Sequence, residues 1–149
     1  MDFMLTEQQQ MMKKLFAEFA EKEVKPLAAE VDEEERFPRE NVEKMKACKM
    51  MGIPFSREYG GAGADYLSYI LAVEELSKKC GTTGVVLSAH TSLGTWPIEH
   101  FGTEEQKNKY LPDLCTGKKL AAFGLTEPNA GTDAAGQQTT AVKDGDGYI

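Results

Sequence analysis

The residues with the clearest chemical potential lie in the stretch 123–133, Phe-Gly-Leu-Thr-Glu-Pro-Asn-Ala-Gly-Thr-Asp. Gly131 has no Cβ, so backbone N–H groups there can approach a ligand, while Pro128-Asn129 favours a sharp turn. The hydroxyl groups of Thr126 and Thr132 add hydrogen-bonding groups on either side. Such a loop can hold an anion or a planar ring. The residue types alone equally allow a tight turn between two strands.

Three other groups have simpler interpretations than catalysis. His90 has no acidic or nucleophilic neighbour in sequence, which is typical of a hydrogen-bonded core histidine and not of a base. The glycine-rich run 59–63 lacks the flanking strand and the Gly-Lys-Ser/Thr of a phosphate loop, so we expect a connecting loop. Cys48, Cys80 and Cys115 are widely separated and odd in number. They indicate reduced structural thiols and no metal site.

Length, charge and hydropathy narrow the class of protein. The 149 residues are 41% hydrophobic and 28% charged, which is enough for one ordinary globular domain. A net charge of −7 and the absence of a basic block argue against nucleic acid as a partner. The longest uncharged run, between Lys79 and Glu99, is too polar to span a bilayer, so no membrane is expected either. No secretory signal is visible, and with the reduced thiols this predicts a cytoplasmic location.

A first helix must lie near the N-terminus. Thr6 followed by Gln9 matches a capping box and predicts a helix over 7–24, which Pro26 ends or kinks. The acidic run 32–35 is interpreted as a solvated connection. The apolar stripe of the first helix is typical of core packing and consists of Met12, Leu15, Phe16, Phe19 and Leu27.

Two further helices are bracketed by their end signals. Pro38 at a first helical position and Gly52 just past the end predict a second helix. Asp65 is a candidate N-cap for a third helix through Lys79, with Gly81 just past its last turn. The residues of the third helix predicted to face inward are Leu67, Ile70, Leu71 and Leu76.

The fourth and fifth helices complete the helical part. Residues 85–93 predict a helix buried on most sides. Thr103 with Gln106 repeats the capping box and begins a fifth helix, which closes within residues 112–117. These patterns predict a five-helix unit.

Strand and turn patterns follow, so the chain divides into a helical domain, 1–118, and the start of a β-domain, 119–149. Residues 120–125 predict a short buried strand, and 137–143 predict a second one. An Asp-Gly-Asp-Gly turn at 144–147 then leads into two residues of a partner strand. Because two residues leave most of the strand at 137–143 unpaired, we expect a β-domain truncated at the end of the chain.

The stretch 123–133 is similar to the first flavin-binding signature of the acyl-CoA dehydrogenases, most of all the short-chain (butyryl-CoA) branch. The resemblance covers essentially the whole chain as an N-terminal portion. It implies a mainly α fold, with the helical N-terminal domain of that family followed by the first strands of its β-domain. The other stretches that carry it are Met1-Asp2-Phe3 with Leu5-Thr6, Tyr59–Gly63, Ala72–Leu76 and Phe101–Lys107.

The resemblance implies a FAD-dependent enzyme that removes hydrogen from the α and β carbons of a short-chain acyl-CoA thioester. It implies electron-transferring flavoprotein as the electron acceptor and a homotetramer for the longer protein. The family's second signature, Trp-Ile-Thr-Asn-Gly, and its C-terminal glutamate base are not in this chain. We therefore assign no catalytic residue here and expect this chain alone to be inactive. The alternatives are a stand-alone helical binding module without catalysis and an acyl-CoA oxidase-like flavoprotein.

The resemblance also implies cofactor-binding residues. Phe123, Leu125 and Thr126 match positions that meet the flavin, with the Thr126 hydroxyl near the pyrimidine edge. Gly131 and Thr132 match the part of the loop that approaches the FAD pyrophosphate. Many relatives have Ser at the position of Thr132, so the hydroxyl is kept and a methyl group is added.

The implied substrate contacts are fewer. Thr132 matches a position near the bound thioester, and Leu87 and Leu93 match a helix that lines the acyl pocket. Glu127 lies inside the motif, but its simpler role is to hold the loop by accepting hydrogen bonds and not to act as a base.

Overall fold

The structure is a computed structural model that describes residues 4–149. The resemblance at Met1-Asp2-Phe3 therefore lies outside the described residues. Within the described range the fold is mainly α, as predicted. The α-helices are α1 (Glu7–Phe19), α2 (Ala28–Glu33), α3 (Arg39–Ala47), α4 (Tyr66–Ser77), α5 (Gly81–Ser88), α6 (Trp96–Phe101) and α7 (Glu104–Cys115). Two short strands follow, β1 (Lys143–Asp144) and β2 (Gly147–Tyr148).

These segments form the five predicted helices because π-helical turns join some of them. The π turn Ala20–Val24 and the 3-10 turn Lys25–Leu27 connect α1 to α2. The π turn Ala89–Thr95 connects α5 to α6. The predicted fourth helix is therefore longer than expected at both ends. Gly81 was predicted to follow the last turn of the third helix, but it is the first residue of α5.

Each π turn lies just before or beside a proline, Pro26 or Pro97. Proline has no N–H group, and its ring collides with the carbonyl group four residues earlier. A wider turn removes that conflict without breaking the helix. Pro26 therefore modifies the first helix without ending it. The acidic run begins inside α2, so the solvated connection starts only after Glu33.

The three N-terminal helix caps predicted from the sequence are present. The Thr6 hydroxyl accepts a hydrogen bond from the Gln9 amide, and the Gln9 side chain accepts one from Thr6 N–H. Thr103 and Gln106 make the same reciprocal pair at the start of α7. Asp65 caps α4 by accepting from Ser68 N–H at 2.7 Å. Such caps satisfy N–H groups that have no partner within the helix.

The second helix ends differently from the prediction. Pro38 is the residue before α3 and not its first residue. The left-handed residue after the helix is Lys49, with φ 57°, and not Gly52. A Cβ on Gly52 would lie 2.5 Å from the Cys115 carbonyl oxygen. Glycine at this position therefore allows a close approach to the end of α7 and has no role as a C-cap.

The main core joins α1, α2, α3, α4 and α5, and it includes Phe16, Val31, Met45, Leu71, Leu76 and Leu87. Two inward predictions for α4 are wrong, because Leu67 and Ile70 are 45% and 52% exposed. The buried face of α4 instead includes Ser68 and Glu75. The buried Glu75 carboxylate is paired with the Lys78 ammonium, which lies 2.8 Å away. Leu71 and Leu76 are buried as predicted. Because polar residues share this inner face, the apolar pattern alone misplaced Leu67 and Ile70.

The predicted strands at 120–125 and 137–143 are absent from the described structure, apart from Lys143. Only β1 and β2 pair, in antiparallel register, with Asp144 opposite Gly147. The predicted turn at 144–147 is therefore present, but the hairpin has no third strand among residues 4–149. Extended apolar segments form strands only where a neighbouring strand accepts their backbone hydrogen bonds. Residues 120–125 have no such neighbour here.

No described helix has the length and apolar character needed to cross a bilayer. Among residues 4–149, no three or more His, Cys, Asp or Glu side chains are grouped so that they could hold a metal ion. All three cysteines are free thiols. Burial raises the pKa of the Cys115 thiol to about 12, so this group is a poor nucleophile.

Candidate functional site

The stretch 123–133 contains a compact turn. Glu127 and Ala130 exchange two backbone hydrogen bonds of 3.1 Å, with Pro128 and Asn129 between them. Pro128 presets its own backbone angle, and Asn residues are common at such corners. Ala130 is only 1% exposed, so one side of the turn packs against the protein. Residues 127–130 therefore form the tight turn that the residue types allow, although no strands flank it in the described part of the chain. Ligand binding by this loop stays a prediction.

The Glu127 carboxylate is the hub of this segment. It accepts hydrogen bonds from Gln138 N–H at 2.8 Å and Thr139 N–H at 3.2 Å. These bonds lower the pKa of Glu127, because they stabilise the charged form. The Gln137 side chain adds a 2.6 Å bond to the Leu125 carbonyl oxygen. The expected loop-holding contacts of Glu127 are therefore present, and they clamp residues 125–127 against 137–139.

An open cleft of about 350 Å³ lies along this clamp. Two of the residues that line it, Leu125 and Thr126, are exposed, Leu125 to 39%. Phe123, which precedes the lining residue Gly124 in sequence, is 53% exposed. The residues that line the cleft are Gly124, Leu125, Thr126, Glu127, Gln137 and Thr139. The segment thus presents apolar surface next to hydroxyl and backbone groups.

Gly131 and Thr132 lie beyond the turn and are both exposed. A Cβ added to Gly131 would meet no atom within 4 Å. The chain's own packing therefore does not require glycine at this position. The hydroxyl groups of Thr126 and Thr132 and the open backbone at Gly131 fit a flavin cofactor. The flavin ring is flat and apolar on its faces and polar along one edge.

The two predicted acyl-pocket residues have different surroundings. Leu87 is fully buried within the main core. Leu93 is 48% exposed on the π turn Ala89–Thr95, and it is available to line a pocket. The next residue, Gly94, packs so closely on Ala121 that a Cβ there would overlap the Ala121 Cβ. Leu93 therefore lies beside the chain that leads into the candidate flavin segment.

His90 is a hydrogen-bonded core residue, as its sequence surroundings indicated. Its side chain is 1% exposed, and its ring nitrogens contact Leu114 and Ala121. Burial lowers the pKa of His90. Its partners could not be predicted from the local sequence, because they lie 24 and 31 residues away. The same is true of Gln137, whose partner Leu125 lies 12 residues earlier.

Comparisons with known proteins agree with this arrangement. Residues 6–118 match the family "Acyl-CoA dehydrogenase, N-terminal domain". The short-chain specific acyl-CoA dehydrogenase of Clostridium acetobutylicum is 66% identical over the whole chain, and the mitochondrial short-chain specific enzyme of Bos taurus is 44% identical over 97% of it. The chain spans 39% and 35% of the length of these two relatives.

Solved structures give the same result. Butyryl-CoA dehydrogenase from Megasphaera elsdenii has a TM-score of 0.90 and 49% identity, over 99% of this chain and 40% of its own. A chain from work on the electron transferring flavoprotein of Acidaminococcus fermentans has a TM-score of 0.93 and 57% identity, over all of this chain and 39% of its own. The chain therefore belongs to the acyl-CoA dehydrogenase family and carries the family's N-terminal domain.

Proposed function

We propose that this chain is the N-terminal part of a FAD-dependent acyl-CoA dehydrogenase that acts on short-chain acyl-CoA thioesters. We call this chain, continued by the C-terminal part that its relatives have, the full-length enzyme. The observation that carries the proposal is the segment 123–133, where the Leu125 side chain and the Thr126 hydroxyl line an open cleft and Phe123 is exposed in the same segment. The identity to short-chain specific relatives supports the substrate class.

FAD would supply the hydride acceptor when bound. Phe123 and Leu125 would cover part of the flavin ring and exclude water from it. The Thr126 hydroxyl and nearby backbone groups would hydrogen-bond its polar edge. Thr132 and the open backbone at Gly131 would approach the pyrophosphate and the thioester.

We assign proton removal from the substrate to the C-terminal part of the full-length enzyme. A general base needs a free lone pair and a pKa near the working pH. Glu127 is poorly suited to this role, since two backbone amides already bind both of its oxygens and lower its pKa. The chain of 149 residues alone would then be inactive and would bind FAD weakly, because a cofactor site needs several walls.

Electron-transferring flavoprotein is the proposed electron acceptor, by analogy with the structural relative from Acidaminococcus fermentans. A homotetramer and a cytoplasmic location remain predictions for the full-length enzyme. The assignment of Leu87 and Leu93 to the acyl pocket also remains a prediction. The exposed Leu93 fits that role better than the fully buried Leu87.

A stand-alone helical binding module is the second candidate function. It is favoured by the two hydrophobic clusters, whose buried members all lie before residue 116. Beyond that point Ala130 is the one buried hydrophobic residue described. The helical domain therefore has a core of its own.

Purification of the full-length enzyme and of the 149-residue chain distinguishes the two functions. We expect yellow full-length protein with near-stoichiometric FAD and a nearly colourless 149-residue chain. A full-length protein that folds but binds no FAD would favour the module. A 149-residue chain that retains near-stoichiometric FAD would contradict our assignment of the missing walls.

A further inference from the structure

His90 joins two distant parts of the backbone. The Ala121 amide donates to Nδ1 at 3.0 Å, so this nitrogen carries no proton. The Nε2 atom must then carry the proton, which it donates to the Leu114 carbonyl oxygen at 3.1 Å. Leu114 and Ala121 lie on either side of the connection that leaves α7. One neutral imidazole therefore holds both ends of that connection.

The π turn aims this side chain. The Thr95 hydroxyl donates to the His90 carbonyl oxygen at 2.8 Å, across five residues. Gly94, in the same turn, leaves room for Ala121 to lie directly against the helix. His90 and Gly94 thus fix Ala121 in two ways, by a hydrogen bond and by close packing. Ala121 is followed after one residue by Phe123, the first residue of the candidate flavin segment.

We propose that His90 is a positioning residue for the flavin segment. By holding the Ala121 amide, it fixes where residues 123–126 begin relative to the helical domain. His90 acts through Ala121 and does not touch the cofactor. The part of this proposal that concerns FAD rests on the proposed function, whereas the contact between His90 and Ala121 does not.

Two variants distinguish the hydrogen bonds made by the two ring nitrogens of His90. In His90→Asn the side-chain oxygen can occupy the position of Nδ1 and accept from Ala121 N–H. In His90→Gln the amide nitrogen can occupy the position of Nε2 and donate to Leu114, but the contact with Ala121 is lost. Both variants leave a polar amide in the same place in the core, so each is a control for the other.

The first measurement is amide hydrogen exchange at Ala121 by NMR in the 149-residue chain. We expect His90→Asn to keep the slow exchange of the parent chain, and His90→Gln to speed exchange about tenfold or more, since the protecting bond is gone. Nitrogen-15 shifts of the imidazole should show the proton on Nε2 in the parent chain. Equal exchange in both variants, or a proton on Nδ1, would overturn the contact we infer.

The second measurement is the FAD dissociation constant of the full-length enzyme. We expect His90→Asn to stay within about twofold of the parent and His90→Gln to weaken binding about tenfold or more. If His90→Gln releases Ala121 but binds FAD normally, His90 is structural and does not position the flavin segment. If the parent enzyme binds no FAD, the proposed function fails, and Ala121 exchange still decides the contact itself.

Gly94→Ala provides an independent variant if His90→Gln does not fold. Its added methyl group should displace Ala121 while leaving the imidazole intact. We expect faster exchange at Ala121 and weaker FAD binding. Normal values for both would contradict the role of the π turn in placing Ala121.

Discussion

Glu127 is a carboxylate whose surroundings fit a structural role better than a catalytic one. Both of its oxygens accept backbone N–H groups, from Gln138 and Thr139. Glu127→Gln keeps one carbonyl oxygen for these amides, so it should lower stability and leave flavin reduction within about tenfold of the parent. Single-turnover reduction of the full-length enzyme by butyryl-CoA measures this. A loss of more than about a thousandfold, with FAD and fold retained, would identify Glu127 as the base.

Thr126→Val is the matched comparison in the same segment. It removes an exposed hydroxyl that we place at the polar edge of the flavin, and it keeps the side-chain shape. A flavin acceptor left without its partner costs about 1–3 kcal/mol, so the visible spectrum or the reduction potential should shift. Stability without FAD should stay near that of the parent. An unchanged flavin with unchanged affinity would remove Thr126 from the site.

Acid should weaken the Glu127 clamp. Its pKa is lower in the folded state than the ordinary value of 4.5. The unfolded state therefore takes up the proton first, and the stabilisation, complete above about 4.5, is lost as the pH falls through the folded-state pKa. Denaturant unfolding of the parent chain and of Glu127→Gln between neutral and acid pH should give curves that converge at low pH. A difference that grows on acidification would contradict this.

At the scale of single elements, the π turn Ala89–Thr95 decides how the β segment meets the helices. Gly94→Ala forces a methyl group into Ala121 and should cost about 1–3 kcal/mol of stability, as overpacking does. Gly131→Ala is the control, because a Cβ there meets open space. Its stability without FAD should stay close to that of the parent. Equal destabilisation of both variants in urea would show that Ala121 is not packed as described.

Local and distant interactions explain which elements could be predicted. The caps at Thr6, Asp65 and Thr103 depend on residues three positions away, so the sequence displays them. The strand predicted at 120–125 does not form, because a strand needs pairing partners that the local sequence does not specify. The contacts of His90 and Gln137 likewise span many residues. The residue types of the candidate site were therefore predictable, but the contacts that hold it were not.

At the scale of the whole molecule, the helical domain contains every buried hydrophobic residue that the structure describes except Ala130. A chain of residues 1–118 should therefore fold with helical circular dichroism and unfold cooperatively. It loses the Ala121 hydrogen bond to His90, worth about 1 kcal/mol, so its midpoint should fall by only about 5 °C. An unfolded 1–118 chain would show that residues 119–149 belong to the same folding unit. It would also contradict the predicted domain boundary.

The central claim is that this chain, as part of the full-length enzyme, supports transfer of a hydride from a short-chain acyl-CoA to FAD. Anaerobic mixing of the full-length enzyme with butyryl-CoA, followed through the visible flavin absorbance, tests it most directly. The flavin should bleach within a single turnover, because the substrate transfers its hydride to FAD. A full-length enzyme that holds FAD in an intact fold, but whose flavin no short-chain acyl-CoA bleaches, would contradict the claim.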